Sequence, residues 1–426
     1  MIYLLITSFF VLLIISVPVA FSLGASSIFG LLFKGQTSLT AIPAKIYGGM
    51  DSFTLLAIPF FILAGDLMDT GGIALRLINL AKALVGHFRG GLSLVVMVGE
   101  IFFSGISGST TADAAAMGSI MIPSLVKSGY TPERAAAIVS AASGMGMLVP
   151  PCLGMVIFGG MTNTSIAALF AAGFLPALVM AVALMVQLYL QAKREGIPVE
   201  PKIPLRGKAI AVKSASWALL MPIIIFGGIL GGVFTPTEAA VVAVIYGFIA
   251  GKYIYRELTW PQIATIFARS GRVTGVVMIL VGTANIFAWL LTLEHLPQKL
   301  VAFIGTMPGG KIFFLLFSNL VFIFLGALLD GLPAMLMMVP LFFPIAVKLG
   351  VHPVHYGILV TANMGMALFM PPAGVGLFVT SGIAKTSIHR VTKPLVPYLI
   401  TMFLVTLLIT YFPSIVMIVP RWLGLS

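Results

Sequence analysis

Three stretches of this chain, Ile2–Phe33, Ile166–Leu190 and Val273–Leu293, each run for more than twenty residues without one acidic or basic side chain. A membrane helix needs about 20 apolar residues to cross the hydrocarbon layer, so each stretch is long enough to span it. The rest of the chain leaves no soluble alternative. Hydrophobic residues make up 60% and charged residues 8%, where a soluble domain carries about 25% charged residues. Mean hydropathy is +1.13. The first stretch lacks a basic start and equally apolar segments follow it, so it is expected to remain as a membrane segment rather than act as a cleaved leader. The net charge of +12 is spread between apolar segments instead of forming one patch. It therefore reports topology in a lipid bilayer and does not suggest a nucleic-acid partner. The single cysteine, Cys152, excludes an internal disulfide and a cysteine-rich metal site. His87, His295, His352, His355 and His389 are scattered and form no catalytic cluster.

Shifting the chain against itself by 221 residues aligns Met117–Pro151 with Met338–Pro372, with 12 of 35 ungapped positions identical. Chance would give roughly three in so apolar a composition. The identities include Pro123/Pro344, Lys127/Lys348, Gly129/Gly350, Pro132/Pro353, Gly144/Gly365 and the double prolines Pro150–Pro151/Pro371–Pro372. Glycine and proline dominate them, so backbone geometry is what repeats.

Charge sets the orientation. Lys193, Arg194, Lys202, Arg206, Lys208 and Lys213 place the stretch 193–213 in the cytoplasm. From there 217–233 crosses outward, a turn follows at Thr235–Thr237, and 238–255 returns. An amphipathic stretch at 259–272 is expected along the cytoplasmic surface, before 273–293 crosses again. This path leaves 18 of the 24 Lys and Arg inside. Segments 92–126 and 312–347 are apolar pairs interrupted at Ser104–Asp113 and at Asp330, Gly331 and Pro333. Both are read as re-entrant hairpins. Five crossings then separate the two repeat units, so the second is inverted, as in secondary transporters.

Extended to the whole chain, the repeat pairs 1–16 and 19–33 with 217–233 and 238–255, 51–67 with 273–293, and 72–89 with 294–310. The expected fold is an all-α polytopic membrane protein of ten crossings and two hairpins, with both termini outside. Residues 1–33 form either a helical pair about Pro18 or one long helix. The expected organisation is 1–91 as scaffold, 92–164 as the first hairpin and broken helix, and 165–311 as scaffold with a cytoplasmic loop at 191–216. The second hairpin and broken helix follow at 312–388, and the last scaffold helix at 389–426.

Chemistry is expected at the breaks. The first hairpin turns through Ser104-Gly-Ile-Ser-Gly-Ser-Thr-Thr-Ala-Asp113, where glycines permit the turn and hydroxyls offer hard oxygen ligands. Ser143-Gly-Met-Gly146 leads into Pro150–Pro151, which lack amide donors and so free upstream carbonyls. Two such breaks facing one another offer the oxygens that Na⁺ needs, and their helix N-termini favour a carboxylate. The second unit offers Gly326–Pro333 and Thr361–Pro372. Small residues also serve close helix packing, but here two tracts stand at equivalent places, each with its double proline. An aspartate at mid-membrane costs about 2.5–3.5 kcal/mol, so Asp330 is read as a cation ligand, with a helix cap as the alternative. Asp113 reads as a cap or structural hydrogen-bond acceptor, and Glu238 as a helix-start acid. Glu100 either faces a cavity or pairs with a neighbouring helix. Pro353 between His352 and His355, with no acid nearby, argues against metal binding there.

The residues Ser107–Asp113, Gly129–Ala137, Pro150–Pro151, Phe234–Ala240, Asp330 and Met370–Gly374 resemble the large membrane subunit of the tripartite ATP-independent periplasmic (TRAP) transporters, nearly end to end. The resemblance implies a bacterial inner-membrane protein of the ion-transporter superfamily with an elevator mechanism. It also implies a small four-helix (Q-type) membrane subunit, a periplasmic substrate-binding protein, and carboxylate substrates such as C4-dicarboxylates or sialic acids. No cofactor is implied beyond Na⁺ as coupling ion. One Na⁺ site is expected at Ser107, Ser109, Thr110, Ser143, Gly144, Met147 and Val149. A second is expected at Gly326, Asp330, Thr361, Gly365, Met366 and Phe369, and the substrate at Ser104, Ser109, Asn363 and Asp330. No arginine lies in either tip or proline break, so the anion is expected to meet amides, hydroxyls and Na⁺.

Two other classes compete. A Na⁺/H⁺ antiporter would rest on one or two central carboxylates, whereas hydroxyls and carbonyls prevail here. A membrane-embedded enzyme would need a nucleophile with a base, or paired acids near a metal motif, and none is present. The chain is read as no enzyme, and it carries no nucleotide-binding loop.

Overall fold

The computed structural model describes residues 1–35, 40–197, 199, 201–305 and 309–425, and these contain helices and no strand. The first half runs α1 (Ile2–Ile14), α2 (Val19–Lys34), α3 (Ala41–Met50), α4 (Ala57–Thr70, entered through a 3-10 turn), α5 (Ile73–Val85), α6 (Gly91–Ser107), α7 (Thr110–Lys127), α8 (Pro132–Gly146), α9 (Leu153–Thr162) and α10 (Ile166–Arg194). The second runs α11 (Leu205–Leu230), α12 (Pro236–Ile249, extended by a π turn), α13 (Trp260–Leu293), α14 (Leu296–Gly305), α15 (Gly310–Leu329), α16 (Gly331–Lys348), α17 (Pro353–Ala367), α18 (Val375–Ile383), α19 (Ile388–Tyr411) and α20 (Pro413–Trp422).

The helix starts follow local chemistry. Thr131 caps α8 by accepting from the Arg134 N–H, and Pro132 takes the first position, where no amide is needed. Thr235 and Glu238 cap α12 reciprocally, and Thr259 and Gln262 cap α13 in the same way. Glu238 is thus the helix-start acid expected of it. The residues around Pro18 settle as two helices, α1 and α2, packed on each other.

One expectation is corrected. Residues 259–272 do not lie apart from 273–293. No glycine–proline break separates them, and α13 continues as one helix of 34 residues, about 51 Å long at 1.5 Å per residue. The hairpin turns are also tighter than the interruptions in sequence. Only Gly108–Ser109 leave the helix in the first and only Asp330 in the second, and Pro333 sits in the first turn of α16. Of the stretch 294–310, residues 306–308 lie outside the described residues.

Among the described residues, eight helices of at least 18 residues are apolar enough to cross a membrane. At 13 and 16 residues, α1 and α2 are shorter than that: the chain turns at Ser16 (φ +65°) after α1, Pro18 caps the start of α2, and Gly35 (φ +66°) ends it. The 221-residue shift carries α8 onto α17 and α7 onto α16. The halves interlock: α2 packs on α13, α12 on α4, α8 on α17 and α19.

Candidate site at the hairpin tips

Each hairpin tip lies on the break of its own half. Gly108 takes φ +66°, which a side chain disfavours, and a Cβ there would stand 3.3 Å from the Pro151 carbonyl oxygen. Its own carbonyl accepts from the Leu153 N–H at 3.4 Å. The Ser109 N–H donates to Ser107 Oγ (3.2 Å), and Thr110 Oγ1 donates to Met147 Sδ (3.4 Å). Ser143, Met147 and Val149 are buried. In the second half Gly326 backs onto Ala367 and Gly331 onto Leu368. Asp330 turns the chain at φ +77° and accepts the Gly331 N–H at 2.6 Å through Oδ1. It therefore caps α16 while leaving its second oxygen for other work. Thr361, Met366 and Phe369 are buried, and the Thr361 hydroxyl donates to the Gly357 carbonyl at 2.8 Å. In both breaks the bond between the prolines is cis.

The two halves meet directly. Ser140 Oγ lies 2.8 Å from Thr380 Oγ1, joining α8 to α18, and Gly144 faces Gly365 across the α8–α17 contact. Asn363 donates through Nδ2 to Asn319 Oδ1 and the Leu359 carbonyl, each at 2.8 Å, and its own Oδ1 has no partner among the described residues. Ser104 lies behind the first tip, 2.8 Å from Asp113 Oδ2 and 3.2 Å from Glu100 Oε1. Asp113 thus takes the structural hydrogen bond expected of it. Glu100 is fully buried and packs against Gly146 of the neighbouring helix α8.

A cavity of about 740 Å³ opens between the tips and the helices α4 and α13. Ser107, Ser109 and Thr111 line it from the first hairpin, and Asp330, Leu332 and Pro333 from the second. The rest of the polar lining is Asp66 and Asp69 of α4 and Arg269 and Arg272 of α13, with Val273, Val276, Val277 and Leu280 as apolar lining. Of the residues expected from sequence, the cavity gathers Ser107, Ser109 and Asp330. Ser104, Ser143, Thr361 and Asn363 lie outside its lining. The four charged wall residues went unread in the sequence. Their signal was the shared spacing of three, which puts each like pair on one helix face. Hydroxyl and carboxylate oxygens together with guanidinium groups in one cavity suit a cation and an anion held together.

The comparisons agree on the kind of molecule. The sequence model of the "Tripartite ATP-independent periplasmic transporter, DctM component" matches residues 6–415. The C4-dicarboxylate TRAP transporter large permease protein DctM of Pseudomonas aeruginosa is 37% identical over 405 residues, covering 95% of each chain. The sialic acid TRAP transporter large permease protein SiaM of Vibrio cholerae is 37% identical over 410 residues, covering 96% of each. In fold the chain is similar to the Alcanivorax borkumensis YdaH transporter, with a TM-score of 0.66 at 16% identity over 88% of this chain and 89% of that one. The chain belongs to the tripartite ATP-independent periplasmic transporter family as its DctM component, a large permease that passes repeatedly through the bacterial inner membrane.

Proposed function

We propose that this permease imports a small organic anion together with Na⁺. A periplasmic binding protein delivers the anion, and a small four-helix membrane subunit completes the scaffold. The observation that carries the reading is the meeting of both hairpin tips at one cavity, where Ser107, Ser109 and Asp330 present oxygen atoms to the same space. One Na⁺ is assigned to Ser107, Ser109, Thr110, Ser143, Gly144, Met147 and Val149. The other is assigned to Gly326, Asp330, Thr361, Gly365, Met366 and Phe369. The substrate lies between them, near Ser104, Ser109, Asn363 and Asp330. Bound Na⁺ offsets the charge of an incoming carboxylate, which is the class named for the relatives of Pseudomonas aeruginosa and Vibrio cholerae.

In this proposal residues 92–164 and 312–388 travel as one block, the second half inverted relative to the first, against a scaffold of 1–91, 165–311 and 389–426. Each Na⁺ moving inward contributes about 2.3 kcal/mol per 100 mV, so two ions drive a monoanion uphill. The test is uptake of labelled succinate and N-acetylneuraminate into proteoliposomes holding both membrane subunits. Accumulation that needs both Na⁺ and the binding protein supports the proposal. Equal accumulation in choline buffer overturns the Na⁺ assignment, and accumulation without the binding protein overturns the delivery step.

A further inference from the structure

The α4 and α13 lining of the cavity carries charge that the import scheme above does not use. Arg269 and Arg272 stand on one face of α13, and Asp66 stands on α4 across from them. They are not equivalent. Arg269 Nε lies 3.9 Å from Asp66 Oδ1, and Ser270 Oγ donates to Asp66 Oδ2 at 2.7 Å. Both Asp66 oxygens are thus engaged, and Arg269 has an acid beside it. Arg272 has none: its recorded hydrogen bond runs from Nε to the Ala268 carbonyl of its own helix at 3.4 Å, and among the described residues no carboxylate pairs with it. A guanidinium that lines a cavity, with its Nη groups uncommitted, is shaped to take a carboxylate or sulfonate through two parallel hydrogen bonds.

We infer that Arg272 is the centre of an anion-binding site on the α13 side of the cavity, taking the carboxylate or sulfonate group of the transported molecule in the space that Ser109 and Asp330 also line. Surface arginines near the cytoplasmic face commonly serve topology alone. The shared cavity separates Arg272 from that role, because both hairpin tips open onto the same space. Asp66 and Asp69 beside Arg269 offset its charge, which leaves Arg272 as the less compensated of the two guanidinium groups. The site rests on the proposed anion import, and it explains how a carboxylate is recognised although neither tip holds an arginine.

The test uses the full transporter with its small subunit and binding protein, and two readouts. The first is the anion concentration for half-maximal uptake of succinate, N-acetylneuraminate or the sulfonate isethionate, whichever the wild type accumulates. Arg272→Gln should raise it by about tenfold or more, as expected for a lost charge-assisted pair, while the half-saturating Na⁺ concentration stays unchanged. Arg272→Lys, which keeps the charge but not the fork, should fall between. The second readout needs no transport. Phenylglyoxal labelling of Arg272, followed by mass spectrometry, should slow when one of the three anions is added, while labelling of exposed Arg206 on α11 should not. An unchanged half-saturation in Arg272→Gln with wild-type import intact overturns the site and leaves the import reading standing. Labelling of Arg272 that none of the three anions slows overturns the site whether or not import is seen.

Discussion

Gly144 and Gly365, equivalent positions of the two repeats, pack backbone to backbone where α8 crosses α17. A Cβ on Gly144 would stand 2.9 Å from the Gly365 carbonyl oxygen, and one on Gly365 would collide with the Gly144 carbonyl. Neither oxygen belongs to a flexible side chain that could swing away. Gly144→Ala and Gly365→Ala should therefore each destabilise the protein by roughly 1–3 kcal/mol, as overpacking does. Gly227 in α11 has nothing within 4 Å of its Cβ position, so Gly227→Ala should be neutral or stabilising, by up to about 1 kcal/mol. Thermal unfolding in detergent compares the three. Equal behaviour would mean that the two broken helices are not held by this contact.

Asp330 offers a way to separate capping from ion binding. Its φ of +77° suits glycine, and its Oδ1 accepts the Gly331 N–H. Asp330→Asn keeps an acceptor for that amide, and Asp330→Gly relaxes the backbone, while both remove the charge. If the carboxylate holds Na⁺, both variants should insert normally and require about tenfold more Na⁺ for half-maximal uptake. If it serves only as a cap, Asp330→Asn should keep the wild-type Na⁺ curve, and the charge would be dispensable.

The hydroxyls of the first tip are tested in the same terms. Ser107 and Ser109 line the cavity, and the Thr110 hydroxyl points to Met147 across the break. Ser107→Ala, Ser109→Ala and Thr110→Ala remove an oxygen without adding bulk. Each should raise the half-saturating Na⁺ concentration about two- to tenfold, the range for a neutral ligand. Close helix packing alone predicts no change, because alanine fits such a contact as well as serine does.

How much of this could be read beforehand depended on whether backbone or packing decided it. Pro132, Pro353 and the double prolines dictate local geometry by themselves, so the ends of α8 and α17 and the breaks after them were legible residue by residue. The hairpins were legible too, through glycine and hydroxyl tracts at repeated positions. Residues 259–272 misled because charged residues interleaved with apolar ones resemble a surface helix. In the fold that stretch continues unbroken into α13, and packing against α4 turns Arg269 and Arg272 into the cavity. Which helix closes a site is a long-range fact: the spacing of three puts Arg269 and Arg272 on one face of α13 but does not record what that face meets.

The central claim is that Na⁺ drives the anion through the space between the tips. Its most direct test is accumulation against a gradient in proteoliposomes with the binding protein outside and the labelled anion pre-equilibrated across the membrane. Imposing an inward Na⁺ gradient without ATP should concentrate the anion inside, an inside-negative potential should increase the accumulation of a monoanion such as N-acetylneuraminate, and dissipating the Na⁺ gradient with monensin should release it. An anion distribution that ignores the Na⁺ gradient, or follows an imposed pH gradient instead, would contradict the account.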